Sequence, residues 1–83
     1  MIKILSFQLL ENNQLFLEFS DSSKGVFDLP AYLENKQGTL LEPLKDAGYL
    51  KRVFLDAGAL AWPNGLEISP ARIYELTQKQ EAA

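Results

Sequence analysis

Three carboxylates stand where chemistry would be easiest to build. Asp28, Asp56 and Glu67 each fall at a strand end or turn of the hydropathy pattern. A carboxylate pair does acid–base work when its two environments drive the pKa values apart. With a divalent ion, Asp56 and Glu67 would support metal-assisted hydrolase or nuclease chemistry, although two or three oxygen ligands are few for a hard cation. Spacing alone does not bring them into one cleft, and acids at turns are ordinary. The chain has no histidine and no cysteine, which removes most nucleophile–base pairs, all disulfides and all thiolate metal sites. Arg52 and Arg72 have the fork geometry to grip a carboxylate or phosphate, but isolated arginines more often pair with nearby acids. Gly38, Gly48, Gly58 and Gly65 lie ten, ten and seven apart, each at its own turn, so no glycine loop cradles a phosphate. The residue types therefore predict no catalytic centre, no metal site and no cofactor.

Binding is better served. Eleven acidic residues oppose eight basic ones, for a net charge of −3. Residues 1–50 hold four lysines against seven carboxylates (Glu11, Glu18, Asp21, Asp28, Glu34, Glu42 and Asp46), while residues 51–83 balance four against four. The whole excess thus lies in the first half. It repels phosphate backbones and favours basic partners. With no basic stripe and no aromatic platform among lysines, direct nucleic-acid binding is not expected. Glu11, Glu18, Asp21, Glu34, Glu42, Asp46 and Trp62 are the candidate partner-binding residues. Trp62 has two readings: an interface anchor, or a strand-end aromatic closing the sheet with its N–H on a loop carbonyl.

The elements that must hold these residues follow from periodicity. An 83-residue chain that is 47% hydrophobic fits one small globular domain, residues 1–83. Residues 2–9 read as a strand with Ile2 and Ile4 on one face and Leu5, Phe7 and Leu9 on the other. A turn at residues 11–14 suits Asn12 and Asn13, because asparagine tolerates positive φ. Leu15, Leu17 and Phe19 alternate with Phe16 and Glu18, and a turn at 21–23 leads into residues 24–29, predicting an antiparallel meander. Pro30 ends the third strand and starts a helical turn. A polar loop covers 35–39, and a short helix over 40–46 is limited by Pro43, with Gly48 as its C-terminal cap. Strands follow at 51–56 and 59–62. Ser69 and Pro70 start a C-terminal helix whose face is Ile73, Leu76 and Thr77, fraying from Gln78 onward. The order predicts an α+β fold: one antiparallel sheet of about five strands, a short helical insert and a C-terminal helix on one face.

Four segments together carry a resemblance. They are Leu15–Phe19 with Asp21, the run Gly25-Val26-Phe27-Asp28-Leu29, and Leu44 with Tyr49 and Lys51-Arg52-Val53. The fourth is Trp62-Pro63-Asn64-Gly65 followed by Ile68-Ser69-Pro70 and Ile73-Tyr74. Over roughly residues 3–75 the chain resembles the bacterial domain-of-unknown-function family numbered 2442. That resemblance implies a small α+β domain with an antiparallel sheet. Because such genes often lie beside another short gene, as toxin–antitoxin partners do, it also implies an interaction role. The chain departs from the family pattern at Ala71-Arg72, where an acid usually follows the helix-starting proline, and at Asp21-Ser22-Ser23, where an Asp-Gly turn is usual.

The functional expectation is a non-enzymatic, cytoplasmic protein-interaction module. An acidic antitoxin, or a phage-type, anti-CRISPR-like inhibitor that covers a basic surface of a nucleic-acid-handling protein, would have this composition. No run approaches the ~20 apolar residues of a membrane span, and the first residues lack a signal peptide's apolar core. The alternatives are the hydrolase using Asp56 and Glu67, and a sheet module that pairs edge to edge as a homodimer.

Overall fold

The computed structural model describes residues 1–34, 36 and 38–82. It is an α+β fold, but with two three-stranded antiparallel sheets in place of one larger sheet. The first contains β1 (Ile4–Leu9), β2 (Gln14–Phe19) and β3 (Lys24–Asp28), in that order. Helix α1 (Leu29–Glu34) follows, then a 3-10 turn at Glu42–Lys45 and the single-turn α2 (Ala47–Leu50). The second sheet orders β4 (Phe54–Asp56), β5 (Ala59–Ala61) and β6 (Glu67–Ile68), and α3 (Pro70–Ala82) ends the fold.

The meander forms where alternation predicts it. Leu15, Leu17 and Phe19 are buried while Phe16 between them is exposed. Asn12 and Asn13 both take positive φ, 64° and 61°, at the β1–β2 turn, as asparagine there allows. The expected faces of β1 need correction. Its register to β2 shifts between Ile4 and Ser6, so Ile4 pairs with Phe19 while Phe7 pairs with Leu17 and Leu9 with Leu15. A bulge at Leu5 therefore puts Ile4 on the same face as Phe7 and Leu9.

The single sheet fails for a physical reason. Among the described residues, the backbone link from β1 to the second sheet is one bond just before the bulge, Ile4 N–H to the carbonyl of Gly58 in the β4–β5 turn at 3.0 Å. A side chain at Gly58 would collide with Lys3, whose Cβ lies 2.7 Å from where a Cβ would stand. The sixth strand, β6, is too short for periodicity to reveal. Three further expectations change. Strand β4 starts at Phe54, not Lys51. Gly48 lies inside α2, which is capped at its N-terminus by Asp46. Helix α3 continues through Ala82, past the expected fraying point. The loop expected over 35–39 lies partly outside the described residues.

Helix α3 covers the inner face of the first sheet. Ser69 accepts a long hydrogen bond from the Arg72 N–H, 3.4 Å, at its start. Ile73 and Thr77 are buried against the sheet. Approach is closest at Gly25, where a Cβ would stand 3.0 Å from Thr77 Cβ. Tyr74 meets Phe19 edge to face, centroids 5.0 Å apart. One core joins Leu15, Leu17, Phe19 and Phe27 to Leu60, Trp62, Ile68 and Ile73, with Leu33, Leu44 and Leu50 closing its far end.

Candidate partner-binding surface

Most of the aspartates are committed to shaping the chain. Asp21 closes the β2–β3 turn by accepting from Ser23 N–H (2.9 Å) and the Ser23 hydroxyl (2.6 Å), and it also accepts from the Tyr74 hydroxyl at 2.7 Å. The Ser23 hydroxyl first, then Tyr74, holds the Asp21 carboxyl below the usual range. The same bond to Asp21 pushes the Tyr74 hydroxyl up. Asp28 accepts from Ala31 N–H (3.1 Å) and Gln14 Nε2 (3.2 Å), capping α1. Asp46 caps α2 by accepting from Tyr49 N–H at 3.1 Å. Glu42 pairs with Lys45 at 2.8 Å.

The acidic residues do not share one site. Glu18 and Asp21 sit toward one end of β2. Glu11 precedes its other end, a separation on the order of 20 Å for a six-residue strand. Glu34 and Asp46 belong to the helical segments at that second end. Among the acids, Glu11, Glu18 and Glu34 make no ion pair among the described residues.

Trp62 takes the architectural role. It is 1% exposed, and its Nε1–H donates to the Leu50 carbonyl at 3.0 Å. It therefore lies in the core and offers no face to a partner. Trp62 to Gly65 is a tight turn: Gly65 N–H donates to the Trp62 carbonyl and Trp62 N–H to the Leu66 carbonyl, both at 3.0 Å. Gly65 has φ 92°, which glycine adopts without strain. Asn64 uses both ends of its amide. Its Oδ1 accepts from Leu66 N–H at 3.1 Å, and its Nδ2 donates to the Leu40 carbonyl at 3.0 Å. One turn thus fastens the segment 40–50 to the second sheet at both of its ends. No periodicity signals those two bonds.

That fastening builds a cleft of about 300 Å³ between α1, α2, the Glu42–Lys45 turn and the β1–β2 connection. Its floor is apolar, from Pro30, Leu33, Leu44, Ala47 and Leu50, and its polar lining is Asn13, Glu34 and Lys45. Lys45 is drawn onto Glu42, which leaves Glu34 as the rim's unpaired charge among the described residues. A smaller cleft of about 210 Å³ opens between β3, α1 and α3, lined by Phe27, Asp28, Ala31, Tyr32 and Leu76.

The structure does bring Asp56 and Glu67 together. Asp56 stands opposite Ala59, and Glu67 opposite Ala61, on one face of the second sheet. Across β5, Ala61 sets Glu67 level with Phe54, and Asp56 stands one pair further along opposite Ala59; the two carboxyls meet on this diagonal. The hydrogen bond that protonated Glu67 donates to the Asp56 carboxylate, then the charge of Asp56, raises the Glu67 pKa above the usual value. Asp28 is not part of this pair, and no group of three or more possible metal ligands converges among the described residues. The small residues at 59 and 61 are the signal that sequence reading passed over. The arginines are each engaged locally: Arg52 lies over the Tyr49 ring, 5.7 Å from its centroid, and Arg72 pairs with Glu75 at 2.7 Å. No helix among the described residues is long and apolar enough to cross a membrane.

No curated protein and no solved structure matches the chain. A family model does: the one described as "Protein of unknown function (DUF2442)" matches residues 4–78, and the chain belongs to that family.

Proposed function

We propose that this chain is a non-catalytic protein-interaction module that seats an apolar side chain of a basic partner in the cleft beside Glu34. One observation carries the reading: an apolar floor with a glutamate on its rim that is unpaired among the described residues. A volume of about 300 Å³ lies at the small end of ligand sites, enough for one or two anchoring side chains. Glu11 lies two residues before Asn13 on the same connection, so a lysine or arginine next to the anchor meets negative charge. The net charge of −3 steers the same class of partner. An antitoxin, or a phage-type or anti-CRISPR-like inhibitor acting in the cytoplasm on a nucleic-acid-handling protein, works in this way.

The test is a random peptide display library panned against the chain and counter-selected against Ala47→Trp, which fills the cleft from an exposed position. Enriched peptides should carry a bulky apolar residue beside lysine or arginine, and should lose binding to Glu34→Lys. Peptides retained by both variants, or no enrichment at all, would sink the reading.

The meeting of Asp56 and Glu67 favours a second reading, a metal-assisted hydrolase. It predicts a thermal shift with Mg²⁺ or Mn²⁺ that Glu67→Ala abolishes. Titration without a shift, joined to no turnover of nucleic-acid or ester substrates, disposes of it.

A further inference from the structure

The first sheet ends on β3, and the direction of its edge groups follows from one bond. Phe19 N–H donates to the Ser23 carbonyl at 2.9 Å, in the same register that pairs Glu18 with Lys24 and Phe16 with Val26. Hydrogen bonding alternates along an antiparallel pair. Residues 23, 25 and 27 therefore turn their backbone groups toward β2, and Lys24, Val26 and Asp28 turn theirs outward. Gln78 Nε2 of α3 donates to the Lys24 carbonyl at 3.3 Å, which shows that this carbonyl is not turned into the β2 ladder and that a pairing strand would share or displace that contact. The smaller cleft, lined by Phe27, Asp28, Ala31, Tyr32 and Leu76, is open space beside this edge.

The side chains on the outward residues are self-complementary. Lys24, Val26 and Asp28 lie on the sheet's open face with Phe16. Val26 and Phe16 are each 38% exposed there. A two-fold axis through Val26 would set Lys24 opposite Asp28 of the second copy, twice, and Val26 opposite its own equivalent. Lys24 stands across from Glu18 on β2 but makes no ion pair among the described residues, so its ammonium can reach a second carboxylate. On the inner face the same register places Gly25 of the second copy, covered by its own Thr77 and Gln78, opposite Phe27.

We propose that two copies of this chain pair antiparallel along β3, centred on Val26, to form a continuous six-stranded sheet. The paired Val26 residues exchange two backbone hydrogen bonds. Two Lys24–Asp28 pairs fix the register, each ammonium joining a carboxylate that keeps its bonds from Ala31 N–H and Gln14 Nε2, since opposite charges directly across strands attract and like charges repel. The stripe Phe16–Val26 becomes a four-residue apolar band across the axis. This surface is separate from the cleft beside Glu34, so either proposal can fail without the other.

Sedimentation velocity of the whole chain tests it. A single edge pairing is a small interface, so dimer should grow over about 10 μM to 1 mM. Val26→Pro removes an outward N–H that no bond within the sheet uses, which an edge strand tolerates. It should sediment as a monomer at every concentration while keeping its far-UV circular dichroism. Lys24→Gln, at an exposed position, should weaken the dimer severalfold, and higher salt should weaken the wild type in the same way. A wild type that stays monomeric at the highest concentration overturns the proposal. So does a folded Val26→Pro that dimerises like the wild type, or a Lys24→Gln dimer of unchanged affinity.

Discussion

The two sheets have the same number of strands and are held by different means. The first has strands of six, six and five residues, long enough for the ladder and one buried face to stabilise it. Its other face is left open, with Phe16 and Val26 on it. The second has strands of three, three and two residues, too few for a ladder to persist alone. Side chains that reach distant carbonyls compensate: Trp62 to Leu50 and Asn64 to Leu40. A short sheet can therefore be fixed by ties that span the chain, and those ties also shape the cleft.

The comparison breaks most visibly at Trp62. Trp62→Ala removes a fully buried ring and leaves the Leu50 carbonyl with only the long bond from Val53 N–H, 3.4 Å. The expected loss is about 3–5 kcal/mol, read from urea denaturation by circular dichroism. A loss near ~1 kcal/mol, the worth of one ordinary hydrogen bond, would mean that the short ladder carries itself. The first sheet's most sensitive point is different in kind. Gly25→Val puts a side chain where a single Cβ already stands 3.0 Å from Thr77, and overpacking of this sort costs about 1–3 kcal/mol. The β1–β2 amides should keep their protection from hydrogen exchange, and those of α3 should lose it. Equal loss in both elements would show that α3 and the first sheet unfold as one unit.

The same difference decided what was legible in the sequence. Leu15, Leu17 and Phe19 announce their strand because period-two alternation is local, and Ser69-Pro70 announces a helix start for the same reason. Ile4 and Phe7 misled, because a bulge changes the period by one residue and leaves no mark of its own. Gly48 misled because a glycine near an expected helix end also fits inside a single turn. Trp62-Pro63-Asn64-Gly65 was readable as a turn and as a family mark. Its reach to residues 40 and 50 was not, since a bond across 12 or 24 residues depends on packing that no window contains. The acids of the first half were visible as charge. Their use as caps, at Asp28 and Asp46, required knowing where the helices begin. The Asp56–Glu67 pair was hidden because the register of a two-residue strand sets it.

That pair gives the smallest expected effect and the sharpest contrast. The first sheet's outer face sets Glu18 directly opposite Lys24, opposite charges in register. The second brings two carboxyls together across Ala59 and Ala61. The folded-state pKa of Glu67 is raised above its ordinary 4.5, first by the hydrogen bond with Asp56 and then by repulsion from it. A raised glutamate stabilises the fold fully below its unfolded value, where it is protonated. That contribution is lost as pH rises through the folded value. Glu67→Gln keeps a donor for Asp56 at every pH and never becomes charged. Its melting temperature should match the wild type near about pH 4 and exceed it slightly near about pH 7. The gap at the higher pH should shrink in added salt, because both carboxyls are exposed and screened. An offset of equal size at both pH values would mean that packing, not charge, sets the difference, and the contrast between the two outer faces would lose its electrostatic basis.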